Sequence, residues 1–257
     1  MAYKISFINQ KGGVGKTSLT LHSSGALAEL GKRVLVIDLD PQGNLSADFF
    51  DDIYELPLTL ADILSEESVE ISKVIQKTAF ENIDIVPANK KLRGLEARLA
   101  GLEDSQYYLL EELEEIEDQY DFILMDCPTG LGKPTRIAVV ASDYTIVPLQ
   151  CLGEAVDGSA QVVAYLKEVQ KRANPGLKLM GFVINKFDGK RAIEQSFREV
   201  LREQYNESMF QTEFKRSVKF AEATTTGKPI TAYVPNSPEA DTAREFVQEI
   251  LKHVEKR

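Results

Sequence analysis

Lys11-Gly12-Gly13-Val14-Gly15-Lys16-Thr17-Ser18 joins an apolar run at 5–8 to a segment of helical period at 16–30. A strand, a glycine-rich turn and a helix, in that order, make a loop able to close around phosphate. The glycines let backbone N–H groups approach phosphate oxygens where a side chain would clash. The helix N-terminus adds partial positive charge. Lys16 is then placed to reach β- and γ-phosphates, and the Thr17 hydroxyl to ligate Mg²⁺. The match is to a variant pattern: the strict form GxxxxGK[ST] begins with glycine, and Gln10 stands there. Gly12, Gly13, Val14, Gly15, Lys16, Thr17 and Ser18 are the predicted phosphate-binding set.

Outward from this loop, short apolar runs recur at 34–37, 83–86, 122–125, 145–149 and 180–184. They are rich in Ile and Val and mostly continuous, as parallel strands covered on both faces are. Segments long enough for connecting helices lie at 90–99, 105–118, 154–172 and 191–205. A last helix is expected over 238–254, with Ser237 as N-cap and Pro238 at the first helical position. This alternation predicts one α/β domain over 1–257: a single doubly wound, mostly parallel sheet with helices on both faces. The acidic stretch 48–72, broken by Pro57, interrupts the pattern and is expected to hold one or two short surface helices. The acidic run 111–118 reads as a solvated helix face.

Composition narrows the function classes. A hydrophobic fraction of 43% supports a sizeable core, and a net charge of -10 excludes a basic footprint spread over the whole protein. Any contact with nucleic acid has to come from a local patch. Cys127 and Cys151 lack metal-site spacing and are expected to be buried and reduced. His22 and His253 stand alone, so no metal site of Cys or His is predicted. No apolar stretch approaches the ~20 residues of a membrane span, and no signal peptide is read at the start, so a cytoplasmic protein is expected.

Two further runs end in acid. Val34-Leu-Val-Ile-Asp38-Leu-Asp40-Pro-Gln-Gly carries two aspartates, and Phe122-Ile-Leu-Met-Asp126-Cys-Pro carries one. Ligands of an open parallel sheet sit beyond the carboxyl ends of its strands. Carboxylates there, next to a phosphate loop, suit Mg²⁺ and a positioned attacking water.

These residues together resemble the ParA/MinD family of P-loop ATPases, whose deviant Walker A motif KGGVGKTS matches except that the family usually ends it in Thr. The resemblance runs through DxDPQG, DCP and the NKFDG turn to 214–233, which is similar to the IPRNVRLSEAPSxGKPI segment of partition ATPases. It implies ATP and Mg²⁺ as cofactors and a homodimer formed with ATP. Lys11 would act across that dimer on the partner's phosphates. Asp126 would be the Walker B residue, with Thr17, Asp40 and Asp126 at the metal. One of Asp38 and Asp40 would orient the water; Asp40 is preferred, with Asp38 nearer the metal's outer sphere. Asn185, Pro235 and Asn236 correspond to base-side positions.

The resemblance also implies nonspecific DNA binding by the ATP form, in a nucleoid-associated protein. Lys186, Lys190, Arg191, Arg216 and Lys219 are the candidates by position. A cargo-bound adaptor would stimulate hydrolysis; the cargo would be a plasmid or chromosome locus, or a protein assembly such as carboxysomes. Thr129-Gly130 and the residues after Gly132 depart from the family's switch II pattern, which bears on partner contacts. The alternative is a MinD-like membrane regulator, which needs a basic amphipathic C-terminal helix; the acidic tail fits a packed helix better. A metabolic or redox enzyme on the same scaffold fits poorly: the two cysteines do not match cluster ligands, and dethiobiotin synthetase-like ligases have no need of Lys11.

Overall fold

The computed structural model describes residues 1–65, 69–100 and 104–255. Three residues of the acidic stretch, 66–68, and the last two of the tail lie outside that description. Among the described residues seven strands form one sheet: β1 (Tyr3–Phe7), β2 (Val34–Asp38), β3 (Gln76–Lys77), β4 (Ile83–Val86), β5 (Phe122–Asp126), β6 (Tyr144–Leu149) and β7 (Lys178–Ile184). Their order is β3-β4-β2-β5-β1-β6-β7. All neighbours pair in parallel except β3, a two-residue edge antiparallel to β4. The expected sheet is thus present, with one short strand that its sequence did not announce.

The helices are α1 (Lys16–Glu29), α2 (Asn44–Ala47), α3 (Leu60–Ile63), α4 (Ile71–Val74), α5 (Lys91–Ala100), α6 (Tyr108–Glu114) and α7 (Lys133–Val140). They continue with α8 (Glu154–Arg172), α9 (Ala192–Tyr205), α10 (Val218–Thr225), α11 (Ile230–Tyr233) and α12 (Pro238–Glu255). Side chains alternate across each strand. Leu35, Ile37, Ile123 and Met125 therefore enter one core with α3 to α9, while Val34, Val36, Phe122 and Leu124 enter a second with α1, α10, α11 and α12. Both faces of the sheet are covered, which is why its strands read as continuous apolar runs.

One expectation needs correction. The stretch 48–72 does hold a short helix, but α3 is not a surface helix: Leu60, Ile63 and Leu64 are buried in the first core. Thr59 and Asp62 form a reciprocal capping box that starts it. Helix α7 lies where no element was predicted, with Pro134 in its first turn, a position that suits proline. Ser237 caps α12 as expected, accepting from the Ala240 amide at 3.2 Å.

Parallel register sets the site. Asp38 pairs with Asp126, and Asp126 with Phe7, so three strands end level beside the loop that follows β1.

Candidate functional site

The phosphate loop closes as its glycines require. Gly13 and Gly15 have φ of 76° and 94°, in the left-handed region that favours glycine, and Gly15 is the N-cap of α1. A Cβ on Gly15 would stand 2.1 Å from Asn185 Nδ2. That amide donates to Val14 O at 2.7 Å, while Lys186 Nζ and Gln150 Nε2 both donate to Gly13 O, at 2.8 and 3.0 Å. Three side chains from the ends of β6 and β7 therefore hold the loop open-ended against the sheet. Gln150 was not singled out from sequence, since its surroundings depart from the family pattern.

Lys16 is buried and folds over the loop, donating to Asn9 O at 3.3 Å and Lys11 O at 3.5 Å. Burial lowers its pKa, and the nearby Asp126 works against that. Both hydrogen bonds are long for N–H···O, so the ammonium is loosely held and available to an anion. Thr17 Oγ1 donates to Asp126 Oδ2 at 2.6 Å. Asp126 is completely buried; burial first, then the Asp38 charge, pushes its carboxyl well above the usual range.

The two aspartates at and just beyond the end of β2 are separated by geometry. Asp38 Oδ1 accepts from Asp40 N at 3.0 Å, and its Oδ2 accepts from Ser46 N and Ser46 Oγ at 2.9 and 2.7 Å. It is fully buried, its pKa raised to about 6 by that burial, and it does not line the cleft. These bonds make Asp38 a brace for the turn that presents Asp40. Asp40 does line the cleft, with Oδ1 accepting from Gln42 N at 2.8 Å.

The cleft itself is about 740 Å³. One wall is the phosphate loop with Asn185 and Lys186; another is α2, with Asn44 and Asp48. The third wall is Phe214 to Ser217 and α10, a surface whose sequence signals only its basic residues. Lys11 lies elsewhere. It lines a separate cleft of about 390 Å³ with Asn9, Gln10, Gln150 and Asp157, on the α8 side of the loop.

Pro235 and Asn236 are not at the cleft. Arg244 Nη2 donates to Pro235 O at 2.9 Å and the same guanidinium grips Glu29, the last residue of α1. At 1.5 Å per residue that end is about 20 Å from the phosphate loop. Helix α11 carries the chain along α1 to reach it.

The basic candidates also divide. Lys186 belongs to the phosphate loop, and Lys219 pairs with Glu239 at 3.3 Å, tying α10 to α12. Arg191 and Arg216 converge on the buried Glu194, at 3.5 and 3.8 Å, with Lys190 exposed beside them. Backbone bonds zip Phe187 to Phe214 and Arg216, which adds the exposed Lys215 to this face.

Magnesium and a nucleotide fit these residues. Asp126 Oδ1 is buried without a partner, Thr17 Oγ lies beside it, and the space over Gly13 is clear. A buried unpaired carboxylate oxygen is costly unless a cation or donor arrives.

Comparison with known proteins agrees. A family model described as an AAA domain matches residues 2–179. The sporulation initiation inhibitor protein Soj of Bacillus subtilis is 33% identical over 246 residues, covering 96% of this chain and 97% of its own. A solved structure of cobyrinic acid a,c-diamide synthase from Mycobacterium smegmatis, with a bound ATP analog and magnesium, is 30% identical. It superposes with a TM-score of 0.86 over 99% of this chain and 96% of that one. The septum site-determining protein MinD from Pyrococcus horikoshii, complexed with Mg-ADP, is 26% identical at a TM-score of 0.81, covering 99% and 98% of the two chains.

Proposed function

The chain belongs to the ParA/MinD-type P-loop ATPase family, and from that premise we propose that it is a positioning or partition ATPase that dimerises on ATP and binds DNA without sequence preference. Lys16 and the loop amides hold the β- and γ-phosphates, as the helix N-terminus favours. Thr17 and Asp126 hold Mg²⁺, which when bound neutralises phosphate charge as a Lewis acid. Asp40, at the cleft wall and braced by Asp38, orients the attacking water. Lys11, which lines the cleft on the α8 side and not the nucleotide cleft, acts on a second copy's phosphates, where it supplies positive charge as phosphate charge develops.

The observation that carries DNA binding is one shared scaffold. Lys186 grips the phosphate loop, and the strand-like pairing of 187 with 214–216 continues from it into Lys190, Arg191, Lys215 and Arg216. Nucleotide state and the basic face are thereby built on one piece of backbone. Phosphate contacts need only such cations and no base reading. An adaptor carried on the cargo, a DNA locus or a protein assembly, stimulates hydrolysis and releases the ATPase.

The membrane alternative has less support. The apolar residues of α12, among them Phe246, Val247 and Ile250, are buried in the second core. No helix of the described residues is long and apolar enough to cross a membrane. The name of the M. smegmatis relative suggests an amide-forming role; in this chain Cys127 and Cys151 are both buried with pKa raised, so neither thiol is placed as a nucleophile.

The test is binding to random-sequence duplex DNA with ATP and with ADP, across a salt series, with Asp40→Ala as the ATP-trapped form. Binding with ATP alone, weakening steeply with salt, is expected. Replacing Lys190, Arg191 and Arg216 by alanine lowers the log–log salt slope by about 3, whereas Lys219→Ala leaves it unchanged. Equal binding with both nucleotides, or none, overturns the proposal.

A further inference from the structure

His22 lies one turn past Ser18 on α1 and is 1% exposed. Nothing in the catalytic account uses it. Its Nδ1 accepts from the Ile230 amide at 3.1 Å. An amide can only donate, so Nδ1 carries no proton, and in the neutral ring Nε2 does. Burial, which drives the pKa of His22 down to about 3, keeps the ring neutral. Nε2 therefore donates to Ser18 Oγ, 3.4 Å away.

The far end of the chain has a fixed direction too. Thr224 Oγ1 donates to Phe220 O at 3.0 Å, within α10. Its oxygen is left to accept from Ser18 Oγ, 3.3 Å away. The four bonds run one way: Ile230 N–H to His22, His22 to Ser18, Ser18 to Thr224, Thr224 to α10. Ser18 has one proton, and His22 has already filled one of its acceptor positions. That proton goes either to Thr224 or to something in the cleft.

We infer that His22 is a positioning residue for the nucleotide, aiming the Ser18 proton, and that a bound phosphate and Thr224 compete for it. This rests on nucleotide occupying the cleft as proposed above. Hydrogen bonds of 3.3–3.4 Å between neutral groups are weak, whereas one to an anionic phosphate oxygen is shorter and about twice as strong. Phosphate wins, and α10 loses its hydrogen-bond tie through Ser18, keeping the ring contact of Phe220 on His22. Since α10 follows directly on Arg216 and Ser217, the phosphate loop signals through Ser18 to the segment bearing the basic face.

The test is titration of the full chain with a fluorescent ATP analogue and Mg²⁺, using three variants. His22→Leu keeps the bulk against Phe220 but removes both bonds, and weakens binding roughly 10-fold. His22→Gln, whose amide can accept and donate, stays within about 3-fold of wild type. Thr224→Val removes the competitor and tightens binding about 3-fold. A role confined to packing would weaken binding in both His22→Leu and Thr224→Val, so the opposite signs are the signature. In wild type, nucleotide also speeds amide exchange at Thr226 and Gly227, which bond back to Glu222 O and Thr224 O. In Thr224→Val the change is absent. Should His22→Leu not fold, the sign of Thr224→Val decides by itself. Wild-type binding with both variants weakened or unmoved overturns the relay alone; no binding by wild type overturns it together with the nucleotide cleft.

Discussion

Thr17 Oγ1 donates to one oxygen of Asp126 at 2.6 Å, while the other oxygen of the same carboxylate is buried and has no partner among the described residues. The pair is half-finished: one donor for a group able to accept several. Asp126→Asn should therefore separate stability from function. Replacing a buried, unpaired carboxylate by an amide of the same shape removes a cost of about 1–3 kcal/mol. For a chain of this size that raises the melting temperature by roughly 2–4 °C per kcal/mol. Magnesium-dependent nucleotide binding should be lost in the same protein. Melting curves with and without Mg-ATP read both effects; a variant less stable than wild type would show that the orphan oxygen costs nothing.

Asp48 makes a pH-dependent case. It lines the cleft, its Oδ2 is buried without a partner, and burial, with the Asp38 charge second, raises its pKa to about 7. The folded state thus holds a proton that the unfolded chain releases near pH 4. Between those values the folded form binds more protons, so this residue's contribution to stability falls as pH rises from about 4 to 7 and stays lost above. Asp48→Asn should match wild type near pH 4 and exceed it at pH 8, by on the order of 1–2 kcal/mol once water in the cleft screens the charge. Urea midpoints at the two pH values give the comparison, and an equal difference at both would contradict it.

The sheet, its order of runs and the phosphate loop could be read because each rests on a local signal. Continuous Ile/Val runs, glycines at forced turns and acids at strand ends all declare themselves within ten residues. What escaped depended on distant partners. Asp38 and Asp40 look alike in sequence; only the Ser46 hydroxyl, eight residues on, distinguishes the brace from the residue at the cleft. Lys219 resembles a free surface lysine until Glu239 is placed beside it. Pro235 and Asn236 fit a base-side loop by order along the chain, and the path of α11 along α1 carries them away.

Gly25, in the middle of α1, tests the packing that aims His22. A Cβ there would stand 2.2 Å from Pro229 Cβ and 2.9 Å from Thr231 Oγ1. Alanine gains about 1 kcal/mol of helix propensity over glycine. Overpacking against a proline ring, which cannot rotate aside, costs about 1–3 kcal/mol. Gly25→Ala is therefore expected to be destabilised by up to about 2 kcal/mol in spite of the better helix former. Because Pro229 precedes the Ile230 amide that holds His22, nucleotide affinity should fall with it. Calorimetry and nucleotide titration of this one variant check both; a stabilised protein would mean that α11 yields freely.

Lys11 offers the sharpest separation of binding from assembly. Its backbone amide is fixed by Asn9 Oδ1 at 2.9 Å, and the residue lines the cleft toward α8, not the one that Lys16 and Thr17 share. The intrinsic phosphate contacts of one chain do not need it. Lys11→Ala should thus bind Mg-ATP within about 3-fold of wild type, since a cation outside the cleft contributes only screened attraction. It should nonetheless remain a monomer with ATP, because a second copy's phosphates would lose a charge-assisted partner in a water-excluded interface. Light scattering with ATP and Asp40→Ala as the background measures the dimer without turnover. Hydrolysis should fall in parallel, by on the order of 100-fold or more, if the lysine also meets charge developing at the γ-phosphate. Tight ATP-dependent dimers of Lys11→Ala would place the lysine's work within its own chain, and the cleft it lines would need another occupant.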